Sequence, residues 1–183
     1  MSPSTELILY ACPAGALAVR LQEYFDASAG ICGTNAAHAF PPHCTLTGFF
    51  RDQRSSVGLY VKALRTELEQ SASSEGRISI RGASLQLMDG FHFILLSSVG
   101  IKPLVRRFAA SAVSASRDGP LRTKEWLHLS LAYGFPAAHQ GSLRAVARQR
   151  LGSVASIPAR WKVCLYERTR DGRWIRHVAW PLT

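Results

Sequence analysis

Pro42-His43-Cys44-Thr45-Leu46-Thr47-Gly48-Phe49-Phe50 is the stretch on which the reading of this chain turns. It has an echo at Trp126-Leu127-His128-Leu129-Ser130-Leu131-Ala132-Tyr133-Gly134-Phe135. Each copy runs His, one residue, a hydroxyl residue, Leu, and each ends in Gly-Phe. Both sit in strand-like runs. Side chains on a strand alternate faces, so His43 and Thr45 point one way, as do His128 and Ser130. Cys44 and Leu46, like Leu129 and Leu131, then point the other way, into apolar packing. Each strand can offer one imidazole and one hydroxyl to a common cleft. Two imidazoles facing each other can serve as one base and one acid, and the hydroxyls beside them can donate hydrogen bonds to an anion.

At these residues the chain resembles the two-histidine (2H) phosphoesterases, whose pattern is two copies of His-x-Thr/Ser-x. The second copy, His-Leu-Ser-Leu-Ala-Tyr-Gly, is most similar to the cyclic-phosphodiesterase branch. The copies lie 85 positions apart, and the resemblance covers nearly the whole chain. It implies an α+β fold of two lobes. Each lobe carries an antiparallel sheet, the sheets meet at a central cleft that holds both motifs, and the helices lie outside.

Outward from the motifs, the chain reads as alternating strands and helices. Residues 6–12 form an apolar strand stopped by Pro13, and 14–27 place Leu17, Leu21, Tyr24 and Phe25 at helical spacing. A Gly, Ala and Pro loop over 30–42 follows. Pro41-Pro42 imposes an extended approach to His43. After Phe50 comes a polar turn, then a helix from Ser55 or Ser56 to about Gln70, with 71–76 as a linker. Residues 77–81 and 84–88 read as strands about a bend at Gly82. Asp89-Gly90 is a hairpin turn, and 91–99 a central apolar strand. Pro103 suits the first turn of a helix reaching about Ala115, ended by Arg117-Asp118-Gly119-Pro120. The second motif strand, a helix over 136–151 and a closing hairpin around Asp171-Gly172 complete the order.

Composition bounds the rest. The chain has 183 residues, 47% apolar and 19% charged, which suits one domain of two lobes, 1–183, and argues against disorder. No apolar run reaches the ~18–20 residues of a membrane span. The start shows no basic and apolar leader pattern, so a cytoplasmic or nuclear location is expected, and a monomer is expected as well. The net charge of +10, from 22 Lys and Arg against 12 Asp and Glu, favours anionic partners. The arginines are scattered rather than blocked, which suits a small phosphorylated ligand better than a long duplex. Cys12, Cys32, Cys44 and Cys164 form no C-x-x-C pair and read as free thiols rather than zinc ligands.

The resulting expectation is a metal-independent, cofactor-free 2′,3′-cyclic nucleotide phosphodiesterase with His43 and His128 as the proton-transfer pair. Sequence does not say which is base and which is acid. Thr45 and Ser130 are the expected anion donors. Tyr133 falls on the opposite face by strict alternation, unless a bulge near Gly134 turns the strand. The resemblance implies that it borders the cleft and contacts substrate. Candidate substrates are nucleoside 2′,3′-cyclic phosphates, ADP-ribose cyclic phosphate and RNA 3′ ends. The family's usual product keeps its phosphate on the 2′ oxygen. Phe49, Tyr10 and Cys12 are candidate flanks of the cleft, although Phe49 reads more readily as core. Arg122 and Lys124 could steer a phosphate, although a solvated turn is their simpler account. His38, His92, His139 and His177 lack a hydroxyl partner at motif spacing. The alternatives are a 3′→5′ exoribonuclease and a non-catalytic nucleotide-binding protein. A two-histidine metal site is disfavoured because no carboxylate or cysteine stands at ligand spacing.

Overall fold

The computed structural model describes residues 4–74 and 78–182. In chain order these form β1 (Ser4–Ala14), α1 (Ala16–Cys32), β2 (Cys44–Thr45), β3 (Phe50–Gln53), α2 (Val57–Ser74), β4 (Ser79–Met88), β5 (Phe91–Val99), α3 (Ile101–Ser111), β6 (His128–Tyr133), α4 (Gln140–Leu151), β7 (Arg160–Arg168) and β8 (Trp174–Pro181). The strands run β4-β5-β6-β2-β1-β7-β8, with β3 beside β1, and every pairing is antiparallel. α1 packs on α4 and α2 on α3. The α+β class follows from the sequence pattern.

The two expected lobes are joined into one hydrogen-bonded sheet, and the join is narrow. β2 pairs with β1 through Thr45 and Cys44, and with β6 through Cys44↔Leu129 alone. β2 and β3 are two pieces of one path along β1. Tyr10 pairs with Thr45 and Leu7 with Phe50, so the path makes a two-residue detour between them. At the detour the N–H groups of Leu46 and Thr47 both reach the Leu9 carbonyl. The fully buried Thr47 turns its hydroxyl back to accept the Leu9 N–H at 3.0 Å. A side-chain oxygen thus replaces the ladder carbonyl that the detour removes, as a buried N–H requires.

β1 carries the core on both faces. Leu7, Leu9 and Ala11 join the main core under the helices. Ile8 and Tyr10 join Cys164 and Tyr166 in a smaller cluster on the other face. Fully burying one such Leu is worth about 1.5–3 kcal/mol. On α1, Leu17, Leu21, Tyr24 and Phe25 are buried, as their spacing predicts. On α3 the buried stripe is Ile101, Leu104, Val105 and Phe108, and Pro103 sits in the first turn, where its missing N–H costs no helical bond.

Several boundaries differ from expectation. Pro13 does not stop β1: it pairs with Trp161 near the strand end. α1 continues past residue 27 to Cys32, because Gly30 lies in open space and the turn instead comes at Gly33, where φ is +70°. The expected loop also contains a 3₁₀ turn, Ala36–Ala39, capped by Asn35 and His38. α3 ends at Ser111, short of 115, and Arg117 donates to the free Ala112 carbonyl. β4 is one strand bulged between Gly82 and Ser84, and β5 lies one in from the sheet edge rather than at its centre. α2 covers the first part of the expected 71–76 linker; residues 75 and 76, and a strand start at Arg77, lie outside the described residues, as does the N-terminal stretch 1–3. Among the described residues no helix is long and apolar enough to cross a membrane.

Candidate active site

The two motifs meet on adjacent antiparallel strands, in register through the middle residue of each, Cys44 against Leu129. One step either side of that pair, the register sets His43 across from Ser130 and Thr45 across from His128. The arrangement has an approximate two-fold axis through the Cys44–Leu129 pair, with the imidazoles on one diagonal and the hydroxyls on the other. Diagonal cross-strand neighbours have Cβ atoms about 7–8 Å apart or somewhat less, a separation two rings can bridge around a phosphate-sized group. Cys44 and Leu129 are both fully buried, so the opposite face is packed.

His43, Thr45, His128 and Ser130 all line one cleft of about 740 Å³. Tyr133 lines it too. Strict alternation would have turned Tyr133 away, but β6 is bulged against β5: Phe93 pairs with Ser130 and His92 with Ala132, which leaves Leu131 unpaired. Leu131 and Ala132 are both fully buried, and Tyr133 returns to the cleft side. The bulge lies at Leu131, not at Gly134.

The histidines are held differently. His43 Nδ1 lies 2.7 Å from the Pro41 carbonyl. A carbonyl can only accept, so Nδ1 carries the proton, and in the neutral ring Nε2 keeps its lone pair. Nε2 lies 3.2 Å from the Thr45 hydroxyl. The ring stacks on Tyr10, with centroids 3.7 Å apart. Burial, with His128 adding to it against the Pro41 carbonyl, pulls the His43 pKa down to about 4. His128 is also lowered, first by burial and then by Lys124, while the Trp126 carbonyl acts in the opposite direction. The buried Nδ1 of His128 makes no hydrogen bond of standard geometry to that carbonyl or to another group. The His128 ring stacks on Trp126 at 4.0 Å.

The cleft wall beyond His43 is aromatic. Phe40 and Phe49 line it, Phe40 meets the histidine, and Trp174 contacts both phenyl rings and donates its indole N–H to the Ala39 carbonyl. Phe49 both lines the cleft and packs against the smaller cluster, with the Arg168 guanidinium 4.5 Å from its ring centre. Tyr10 also lines the cleft, whereas Cys12 packs beside the smaller cluster. The detour at Thr47 opens an edge on which Thr123 bridges, with Gly48 N–H to the Arg122 carbonyl and Lys124 N–H to the Leu46 carbonyl. That pairing sets Arg122 and Lys124 on the cleft rim.

Three of the other histidines have local side-chain bonds, and His139 lies in the turn before α4. His38 completes a cap with Asn35 and reaches Ser28 and the Phe25 carbonyl. His177 pairs with Glu167, and the fully buried His92 contacts Gln140. The four cysteines are free thiols. Sequence reasoning missed Trp126, Phe40 and Trp174. Trp126 was findable, because it stands two residues before His128 and shares its face on the strand. Trp174 comes from the far hairpin and leaves no local signal.

No family model matches the chain. Among curated proteins it is 31% identical over 187 residues to the human Ubiquitin-associated and SH3 domain-containing protein B, a match that covers 97% of this chain and 27% of that protein. The mouse protein of the same name is 33% identical over 177 residues, covering 94% and 26%. The Ecdysteroid-phosphate phosphatase of Bombyx mori is 27% identical over 185 residues, covering 97% and 26%. The chain thus spans about a quarter of the length of the curated relatives it matches. Among solved structures, Kluyveromyces marxianus Usb1 aligns over 99% of both chains at 9% identity, with a TM-score of 0.48. Two His-x-hydroxyl motifs registered across one strand pair and opening on one cleft are the arrangement that the resemblance to the two-histidine phosphoesterases implies, in a chain whose relatives match nearly its whole length.

Proposed function

We propose that the chain hydrolyses 2′,3′-cyclic phosphates to 2′-phosphates without a metal, with His43 as general base and His128 as general acid. The observation that carries this reading is the registered diagonal pair of imidazoles in one cleft, with a hydroxyl beside each. Their roles follow from environment. His43 is pulled down to about 4, and its Nδ1 proton is committed to Pro41, so at mild acidity it is neutral and its Nε2 lone pair, now facing the Thr45 hydroxyl, can accept a proton once substrate oxygens draw that hydroxyl away. The shift at His128 is smaller, so there is a window in which it is protonated while His43 is not. Environments that push two titrating groups apart assign the base and the acid.

In the proposed step, His43 Nε2 takes a proton from water as the water oxygen bonds to phosphorus. The bond from phosphorus to the 3′ oxygen breaks, and His128 protonates that oxygen. Thr45 and Ser130 donate to the non-bridging oxygens, where charge grows. Tyr133 borders the substrate. The two histidines end with exchanged protonation and reset through solvent. A role on RNA 3′ ends uses the same chemistry, with the rim cations Arg122 and Lys124 meeting the upstream backbone.

The test is turnover in EDTA on the four nucleoside 2′,3′-cyclic phosphates, a short RNA with a cyclic end, an RNA with an open 3′ end, ADP-ribose cyclic phosphate and a phosphomonoester. Hydrolysis of the cyclic compounds to 2′-phosphates is expected. Loss of about 10³-fold or more in kcat is expected for His43→Ala and for His128→Ala. Stepwise shortening of the open RNA would instead support the exoribonuclease. Binding without turnover would support a nucleotide-binding protein, and cleavage of the monoester alone would sink the reading.

A further inference from the structure

We propose that Trp126 is a positioning residue that clamps the His128 ring in its working orientation. The proposal rests on the reading of His128 as the general acid. His43 has a directional anchor, its 2.7 Å bond to the Pro41 carbonyl. His128 is held less firmly: the Trp126 carbonyl acts on its ring, but the buried Nδ1 makes no hydrogen bond of standard geometry. An imidazole without such a bond is free to rotate about its side-chain torsions unless packing stops it.

Here the packing is aromatic on three sides. The Trp126 indole lies face to face on His128, with centroids 4.0 Å apart and planes 29° apart. Phe93 and Phe91 meet the ring edge-on, each at 5.8 Å. Phe93 also meets Trp126 edge-on at 5.1 Å and so braces the clamp. The backbone beneath is fixed, because the Leu127 carbonyl accepts the Leu96 N–H at 3.0 Å. Trp126 is nevertheless 52% exposed, a large apolar surface that core packing does not require. An indole face stacked on imidazole restricts its rotation and favours its cationic form, the form a general acid must hold before transfer.

The experiment compares Trp126→Phe, Trp126→Leu and Trp126→Ala with His128→Ala on adenosine 2′,3′-cyclic phosphate in EDTA, after thermal melts show each to be folded. Phe keeps a stacking face, and Leu keeps only apolar bulk. The clamp requires kcat to fall about 10–100-fold in the Ala and Leu variants, with KM within about threefold, as expected when a catalytic group is slightly misplaced. Trp126→Phe should keep most of kcat. Unchanged kcat in Trp126→Ala overturns the proposal. So does a rise in KM at constant kcat, which would make Trp126 a substrate-stacking surface, and so does rescue by Leu equal to rescue by Phe. Full activity in His128→Ala would instead refute the acid assignment. The nuclear magnetic resonance signal of the His128 Cε1–H needs no turnover: it should be shifted upfield in the wild type and in Trp126→Phe and should return downfield in the Leu and Ala variants. A resonance that does not move between wild type and Trp126→Ala overturns the clamp by itself.

Discussion

At the scale of the residue, the site divides its labour through solvation. His43 and His128 come from matching motifs, yet one is tied to a carbonyl at 2.7 Å and stacked on Tyr10, while the other makes no hydrogen bond of standard geometry at Nδ1 and is packed among aromatic rings. Burial favours the neutral ring in both, more strongly at His43. A base must be deprotonated, so activity should fall as pH drops through about 4, the His43 value. An acid must be protonated, so activity should also fall as pH rises through the His128 value, which lies below the ordinary histidine value of about 6.5. The profile of kcat/KM should therefore be a bell with its maximum on the acid side of neutrality. A maximum above pH 7 would contradict the assignment of roles. The motifs were legible as sequence, but the difference between the histidines was not, because it comes from Pro41, Tyr10 and Trp126 acting through space.

At the scale of the element, function depends on two irregularities in otherwise regular strands. The Leu131 bulge returns Tyr133 to the cleft. The detour between β2 and β3 is closed by the Thr47 hydroxyl on the Leu9 N–H. Thr47→Val keeps the shape but leaves that buried N–H without an acceptor. Unfolding free energy from urea titration should fall by about 1–3 kcal/mol. An unchanged midpoint would mean that water or the main chain takes over the bond. Alternation from the sequence predicts the faces of Cys44, Thr45, Leu129 and Ser130 correctly, because these residues lie next to the register pair. It fails at Tyr133, because a bulge is a decision made by the partner strand β5. Helix faces were equally legible, since the apolar spacing of α1 and α3 is their buried stripe; the ends were less so, since Cys32 and Ser111 are ends set by packing and by Gly33 and Arg117.

At the scale of the whole molecule, a buried carboxylate ties β3 to α2 and to the loop after α3. Asp52 on β3 is 2% exposed. It accepts from the Tyr60 hydroxyl of α2 at 2.6 Å and from the Ser116 hydroxyl of the loop after α3 at 2.5 Å. Burial raises its pKa, but the hydrogen bonds from Ser116, Tyr60 and the Gln53 N–H outweigh it and hold the group at about 2. A carboxylate lowered by folding adds stability that is present above its unfolded value of about 3.9 and is lost as pH falls towards 2. Wild-type unfolding free energy should therefore drop by roughly 2–3 kcal/mol between pH 5 and 2 through this group. Asp52→Asn should be less stable at neutral pH and lack that part of the acid slope. Equal slopes in both proteins would remove Asp52 as the tie.

The sequence by itself determined the α+β class, the helix faces and the identity of the two His-x-hydroxyl strands, because periodicity and short motifs are local properties of a chain. Only the tertiary structure decided that Cys44 stands opposite Leu129, that the lobes share one sheet through a narrow join, and that Trp126 and Tyr10 back the two imidazoles. These are cross-strand facts. They depend on register and on bulges, which are fixed by the summed packing of strands far apart in the chain, and no single stretch of sequence carries that sum.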